Sequence, residues 1–216
     1  MRSIEFFFDV VSPYAWLACH ALERGLGELE VQLIPVPTLF AALLTARGGV
    51  GPAEIPEKRA YTFRDVRRSA LLARLELRGP PRHPFNPLKA LRLCCAVAEP
   101  EQRLRLAGAL LDAAWSEGKD LEAEETLACA LASVGAASGL LAVSATPAIK
   151  EQLRANGERA LALGLFGVPS FVTDGELFWG HDRIAQLAAH LRGELVFDER
   201  AHAEWLARPR GADRKR

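Results

Sequence analysis

Strand patterns occur only near the two ends of this 216-residue chain, and this feature constrains its fold most strongly. Residues 4–8 are a short apolar run, residues 13–29 have apolar residues at helical spacing, and residues 31–36 form a second apolar run. A strand, a helix and a strand within about 35 residues predict a βαβ unit with two parallel strands.

The second strand region lies near the C-terminus, in residues 169–180. Two short apolar runs there flank Asp174-Gly175, a dipeptide that favours a two-residue type I′ hairpin. A last helix is predicted from about residue 182 to residue 191. Together, the two ends predict a four-stranded α/β unit.

The middle of the chain has helical periodicity and almost no alternation. Helices are predicted at 56–76, 87–98, 101–117, 121–134 and 147–156, with shorter pieces at 38–46 and 158–164. The simplest architecture is one small α/β domain into which an all-helical block is inserted.

We therefore predict a discontinuous α/β domain, residues 1–37 and 157–197, and a helical insertion domain, residues 38–156. Residues 198–216 form an extension. It ends in the basic, Pro- and Gly-containing segment RPRGADRKR, which is expected to be solvated and disordered.

Composition excludes several function classes. Half of the residues are hydrophobic and a quarter are charged, as in ordinary globular proteins. The 27 basic and 27 acidic residues balance, so no nucleic-acid partner is expected. No apolar run is long enough to span a membrane, and no signal peptide is recognisable, so we expect a cytoplasmic protein.

The cysteines give no sign of a metal site or a disulfide. Cys19, Cys94, Cys95 and Cys129 form no CxxC pair and no Cys/His cluster with zinc spacing. Since each lies in an apolar helical pattern, all four are expected to be buried, inert thiols.

Ser12 is the first candidate functional residue, and two interpretations apply to it. A serine followed by Pro13 is a good helix start, and the chain uses the same device at Asn86-Pro87 and Thr146-Pro147. Capping alone therefore accounts for the local pattern. However, Ser12 also lies at the carboxyl end of the first strand, where open α/β sheets bind ligands and a helix N-terminus favours anions.

A second motif faces the same edge of the predicted sheet. The segment FGVPSF, residues 166–171, opens the hairpin with a Val168-Pro169 bond. In this respect the chain resembles the thioredoxin superfold, whose proline at this point is cis and faces the start of the first helix. A cis Val168-Pro169 bond is therefore predicted. The alternative is a proline that only enters an edge strand.

Four segments narrow the resemblance. FFFDVVSPYAWLA (6–18), GVGPAEIPEKRAY (49–61), GVPSFV (167–172) and LFWGHDRI (177–184) are similar to 2-hydroxychromene-2-carboxylate isomerases and the related kappa-class glutathione transferases. The match covers most of residues 1–195 in the same order. Related thiol–disulfide oxidoreductases carry CxxC at the helix start, where this chain has Ser-Pro-Tyr-Ala, so two-cysteine redox chemistry is excluded there.

The resemblance implies that glutathione is the cofactor. Ser12 would donate its hydroxyl to the glutathione sulfur, and Val168, next to Pro169, would pair its backbone with the cysteinyl part. The segment that would bind the γ-glutamyl end comprises Trp179, Gly180, His181 and Asp182. Two alternatives remain: Asp182 as an ordinary helix cap, and His181 as an exposed turn residue.

The resemblance also implies a reaction and a substrate class. The expected activity is glutathione-dependent isomerisation of an aromatic keto acid or another conjugated small molecule, in a homodimer. Phe85 is expected to stack on the substrate or to be a core residue, and Asn86 to reach the substrate or to cap its helix. The chain departs from the family at Gly49, where relatives carry Asn. At Leu44, Glu54 and Ile55 it has no evident polar match to the residues that hold the aromatic acid in some isomerases.

Three other functions stay open at this point. A kappa-like transferase would consume glutathione by conjugating it to an electrophile. A one-cysteine redox protein would use Cys19, which is near the predicted site. A non-catalytic thioredoxin-like binding module would need Ser12 only as a helix cap.

Overall fold

The computed structural model describes residues 1–209 and 211–212 of the chain. Strand β1 (Arg2–Phe8), helix α1 (Pro13–Leu26) and strand β2 (Val31–Pro37) form the predicted βαβ unit. The two strands are parallel over their whole length, with Arg2 opposite Val31. The fold class is therefore confirmed at this end of the chain.

The C-terminal strands complete the sheet. Strands β3 (Ser170–Thr173) and β4 (Glu176–Trp179) form an antiparallel hairpin, and β3 also pairs antiparallel with β1. Asp174 and Gly175 have φ values of 52° and 83°, as the predicted type I′ turn requires. The resulting sheet has the order β2-β1-β3-β4, which is the predicted four-stranded unit.

The region between β2 and β3 is helical, as predicted. It contains α2 (Phe40–Ala46), α3 (Pro56–Ala73), α4 (Leu88–Ala96), α5 (Pro100–Trp115), α6 (Glu124–Ser133), α7 (Leu140–Ser144) and α8 (Pro147–Ala162). Helix α7 was not predicted. The prediction of separate helices at 147–156 and 158–164 was wrong, because α8 is continuous through the buried Gly157. A glycine inside a helix costs only about 1 kcal/mol, which tertiary packing can offset.

The sheet is covered on both faces. On one face, Ile4, Phe6 and Phe8 of β1 join a core that continues through α1 into α3–α6. On the other face, Phe7 packs in a second cluster with residues of α2 and α8. Because the first core runs without interruption from the sheet into the helices, the α/β unit and the helical block pack as neighbours. The domain division itself stays a prediction.

The C-terminal part contains two further helices. Helix α9 (Ile184–Leu191) follows a 3-10 turn, His181–Arg183, so the predicted last helix is confirmed. A further helix, α10 (Glu199–Leu206), was not predicted and lies in the extension. Residues 210 and 213–216 of the basic segment lie outside the described residues. No helix in the described part of the chain is long and apolar enough to cross a membrane.

The prediction of four buried thiols was only partly right. Cys94 and Cys95 are buried, Cys19 is half-buried and Cys129 is exposed. Helix α6 buries Leu127, Ala130 and Leu131, which lie on the other side of the helix from Cys129. The sequence of α6 is apolar nearly all round, so its periodicity could not show which face was buried.

Candidate functional site

The predicted site residues meet at one edge of the sheet. Phe7 of β1 lies opposite Ser170 of β3, so the turn that follows β1 and the Val168-Pro169 segment that precedes β3 share this edge. The segment after β4 returns to the same place, since the Gly180 amide donates to the Pro169 carbonyl at 2.9 Å. The three predicted motifs are therefore neighbours.

Ser12 is the N-cap residue of α1 and is buried. Its Oγ accepts a hydrogen bond from the Ala15 amide at 3.3 Å, which confirms the capping interpretation. A serine hydroxyl has one hydrogen to donate in addition to its acceptor sites. Among the described residues no acceptor takes that hydrogen, so capping leaves Ser12 able to donate to a ligand at the positive end of the helix.

Val168 and Pro169 form the opposite wall of this edge. Their peptide bond is cis, as predicted. The side chain of Val168 is buried in the second core cluster, whereas its backbone N–H and C=O have no hydrogen-bond partner within the described part of the chain. A backbone segment in this state can pair with an extended peptide.

The segment from Trp179 to Asp182 is shaped by two close approaches. The indole of Trp179 packs so tightly on Gly167 that a Cβ there would lie 2.5 Å from Nε1. Gly180 has φ 108°, and a Cβ on it would meet the Asp182 carboxylate at 2.5 Å. Asp182 pairs with Arg183 at 3.2 Å and makes no capping bond, so the helix-cap alternative for Asp182 is wrong.

His181 is not an exposed turn residue, in contrast to the alternative drawn from sequence. Its ring is stacked on that of Tyr14, with centroids 5.3 Å apart and an angle of 14° between the planes. Burial lowers the pKa of His181, an effect that the nearby Asp182 and Asp65 carboxylates oppose. The imidazole therefore links the segment after β4 to the first turn of α1.

Tyr14 was missed by the sequence analysis. Its hydroxyl donates to Asp65 Oδ2 of α3 at 2.9 Å, and burial together with Asp65 raises the Tyr14 pKa far above its usual value. Tyr14 therefore stays protonated and joins the helical block to the start of α1. Its position inside Ser-Pro-Tyr-Ala was the available signal, but the partner is 51 residues away.

Asp9 was also missed, although it ends the first apolar run. Its carboxylate is completely buried and accepts from the amides of Val11, at 3.0 Å, and Phe40, at 2.8 Å. Burial raises the pKa of Asp9 from 3.8 to about 7, even though both hydrogen bonds favour the ionised form. Asp9 therefore ties the turn before Ser12 to the start of α2.

His83 and Trp115 approach the same turn from the helical block. Trp115 Nε1 donates to the Val10 carbonyl at 3.1 Å, and His83 Nε2 lies 3.0 Å from the Val11 carbonyl. Because a carbonyl only accepts, His83 must carry its hydrogen on Nε2. Burial lowers the pKa of His83, and its Nδ1 is buried without a partner among the described residues.

The predicted substrate residues lie on the helical side. Phe85 is half-buried and packs against the main core, while Asn86 is exposed and its Oδ1 accepts from the Leu88 amide at 3.0 Å. Near them, the Arg59 guanidinium lies 4.9 Å from the centre of the Phe63 ring, and Phe63 meets His83 edge to face. This brings a cation to the vicinity of the Val11–Ser12 turn.

The positions that depart from the family pattern have structural partners of their own. The Gly49 amide donates to the Leu44 carbonyl at 2.9 Å, and Glu54 Oε1 accepts from the Gly51 amide at 2.7 Å. Glu54 therefore stabilises its own loop. A separate cavity of about 330 Å³ between α1, β2 and α5 is lined by Cys19 and by none of the residues predicted to bind glutathione or the substrate.

Thiol labelling tests the one-cysteine redox alternative. Burial raises the pKa of Cys19 to about 12, so at pH 7 only about one molecule in 10⁵ carries the reactive thiolate. We expect iodoacetamide to label the exposed Cys129 in the native protein and to leave Cys19 and Cys94 unlabelled, as measured by mass spectrometry. Cys129→Ser is the control and should remove the label, whereas labelling of Cys19 in that variant would favour redox chemistry.

Residues 3–192 match the family model for the DsbA-like thioredoxin domain. The chain belongs to the DsbA-like thioredoxin family. The chain is 32% identical over 212 residues to human glutathione S-transferase kappa 1, and the match covers 89% of this chain and 92% of the relative. It is 26% identical over 197 residues to the 2-hydroxychromene-2-carboxylate isomerase of Sphingobium xenophagum, covering 88% and 98%.

A comparison with solved structures supports the same fold. A 2-hydroxychromene-2-carboxylate isomerase superposes with a TM-score of 0.82 at 22% identity, covering 94% of this chain and 98% of the other. The resemblance inferred from the four sequence segments is confirmed. The relatives are enzymes named as glutathione transferases and as isomerases, which supports glutathione-related activity for the family.

Proposed function

We propose that this protein is a glutathione-dependent isomerase of an aromatic keto acid or a similar conjugated substrate. The observation that carries the proposal is the Ser12 hydroxyl, which lies at the positive end of α1 and donates its hydrogen to no acceptor among the described residues. A donor at that point stabilises a thiolate, and no CxxC pair competes for the position.

The site has features that suit each part of glutathione. The backbone of Val168, which is unpaired within the described part of the chain, suits a cysteinyl residue, as an added strand, and Ser12 suits its sulfur. Asp182 is an acceptor for the γ-glutamyl ammonium, and the amides after Gly180 suit the carboxylate. Gly180 supports this fit, because a side chain there would displace Asp182.

When bound, glutathione supplies a thiolate that adds reversibly to a conjugated ketone and so permits rotation about the former double bond. The residues of this chain would then have three tasks. Ser12 holds the sulfur and lowers its pKa, Phe85 contributes an aromatic surface, and Arg59 attracts the substrate carboxylate. Asn86 remains a proposed substrate contact, although its Oδ1 now accepts from the amide of Leu88, the first residue of α4.

A kappa-like transferase is the second candidate, and the higher identity to the human kappa-class relative favours it. The two activities differ in the fate of glutathione. We expect the free thiol concentration to stay constant while 2-hydroxychromene-2-carboxylate, the compound in the names of the isomerase relatives, is isomerised, as measured with a thiol reagent and by chromatography. A stoichiometric loss of thiol with formation of a thioether would contradict the isomerase and favour the transferase. A homodimer and a cytoplasmic location stay predictions.

The cofactor proposal is tested first by binding. Ultraviolet difference absorbance of the complex with glutathione, titrated against pH, should show a thiolate near neutral pH. S-methylglutathione is the control, since it has no ionisable thiol and should bind without this signal. Binding without any thiolate at neutral pH would contradict the proposed role of Ser12.

A further inference from the structure

The turn that carries Ser12 is not held by regular secondary structure. It follows β1 and precedes α1, and its own internal bonds are few: the Ser12 amide donates to the Asp9 carbonyl at 3.0 Å, and the Val11 amide to Asp9 Oδ1. The carbonyls of Val10 and Val11 take no part in these bonds, and because Val10 is fully buried, its carbonyl needs a donor from elsewhere in the fold.

Both donors come from the helical block. Trp115, the last residue of α5, donates Nε1–H to the Val10 carbonyl, and His83 donates Nε2–H to the Val11 carbonyl. The two donors are 105 and 72 residues from their acceptors. The two peptide groups before Ser12 are therefore held from both sides: Asp9 binds their N–H groups, and residues outside the α/β unit bind their carbonyls.

The two donors also support each other. The His83 and Trp115 rings meet edge to face with centroids 5.4 Å apart, and the Phe63 and His83 rings also meet edge to face, with centroids 5.3 Å apart. The Trp115 carbonyl accepts from the amides of Arg78 and Gly79, which ties the loop leading to His83 back to α5. His83 and Trp115 are thus parts of one cluster, the aromatic clamp.

We propose that His83 and Trp115 are positioning residues that aim the Ser12 hydroxyl at the cofactor sulfur. This inference rests on the proposed function of Ser12. The Val11 carbonyl is part of the peptide group that joins Val11 to Ser12, so a rotation of that group displaces Oγ directly. A misplacement of about 1 Å can reduce a catalytic effect by about 100-fold.

Trp115→Phe tests the clamp with the smallest change in shape, since it removes Nε1–H and part of the ring. We expect the pKa of the bound glutathione thiol to rise by about half a unit to one unit, which is about three- to ten-fold less thiolate below that pKa. Binding at low pH, where the thiol is protonated, should change by less than about two-fold, because only the preference for the thiolate is lost.

Trp16→Phe is the matched control. Trp16 is equally buried, belongs to the same core and also donates its Nε1–H, but to the Asp112 side chain at 2.9 Å. Asp112 keeps two other partners, His20 and Ser116, in this variant. We expect a comparable loss of thermal stability in both variants and a shift of the thiol pKa in Trp115→Phe alone.

His83 is tested by rescue. Gln places an amide Nε2–H close to the position of the imidazole Nε2–H, whereas Leu provides no donor. His83→Gln should therefore keep the thiol pKa of the wild type, and His83→Leu should raise it as Trp115→Phe does. A purely structural role would affect both His83 variants alike.

The outcomes separate the two proposals. Without a thiolate in the wild-type complex, the proposed function fails and the clamp fails with it. If the wild-type complex has a thiolate, either of two results overturns the clamp alone. One is a thiol pKa that neither Trp115→Phe nor Trp16→Phe changes. The other is a thiol pKa that is the same in His83→Gln and His83→Leu.

Discussion

Ser12→Ala is expected to raise the pKa of the bound glutathione thiol and to lower kcat by about 100-fold, the usual effect of removing one preorganised donor. The reason is that the hydroxyl lies at the start of α1 and has a hydrogen available for the sulfur. Thiolate absorbance as a function of pH measures the first effect, and steady-state kinetics measures the second.

The loss of the helix cap has to be separated from this effect, because it alone costs about 1 kcal/mol. Glu99→Ala is a suitable control, since Glu99 caps α5 through the amides of Glu101 and Gln102. It should reduce stability similarly and leave the thiol pKa unchanged. Ser12→Thr keeps a hydroxyl and should retain most of the activity. If Ser12→Ala and Glu99→Ala behave alike, Ser12 is only a cap.

Asp9 is expected to make the stability of the protein fall as the pH rises from about 4 to about 7. Its pKa is 3.8 in the unfolded chain and about 7 in the fold, so the folded protein binds the proton more strongly within this range. The stabilisation is therefore complete below the unfolded pKa and is lost as the pH approaches the folded one. A difference of about three pKa units corresponds to about 4 kcal/mol.

Urea unfolding of the wild type and Asp9→Asn at several pH values measures this contribution. The variant cannot titrate at this position, so the difference in unfolding free energy between the two proteins isolates Asp9. We expect the wild type to have its largest advantage near pH 4 and to lose about 4 kcal/mol of it by pH 7. A difference that does not change with pH would show that the buried carboxyl has an ordinary pKa.

Local patterns in the sequence were sufficient for the sheet and for most helices. Asp174-Gly175 predicted a type I′ turn because few other residues adopt positive φ at both positions, and the structure has it. Periodicity was less informative where a helix is apolar nearly all round, as at Cys129, or where packing offsets a poor helix former, as at Gly157. In both cases the deciding interaction is with another element.

Ser12, the cis Val168-Pro169 bond and the segment from Trp179 to Asp182 could be found in the sequence, because turn chemistry and motif order are local properties. Only the tertiary structure revealed what surrounds Ser12. The bonds from His83 and Trp115 join residues 72 and 105 positions apart, and the same fold buries the Asp9 carboxyl. Hydrogen bonds and burial of this kind depend on how distant elements pack, and no local pattern in a single sequence encodes that packing.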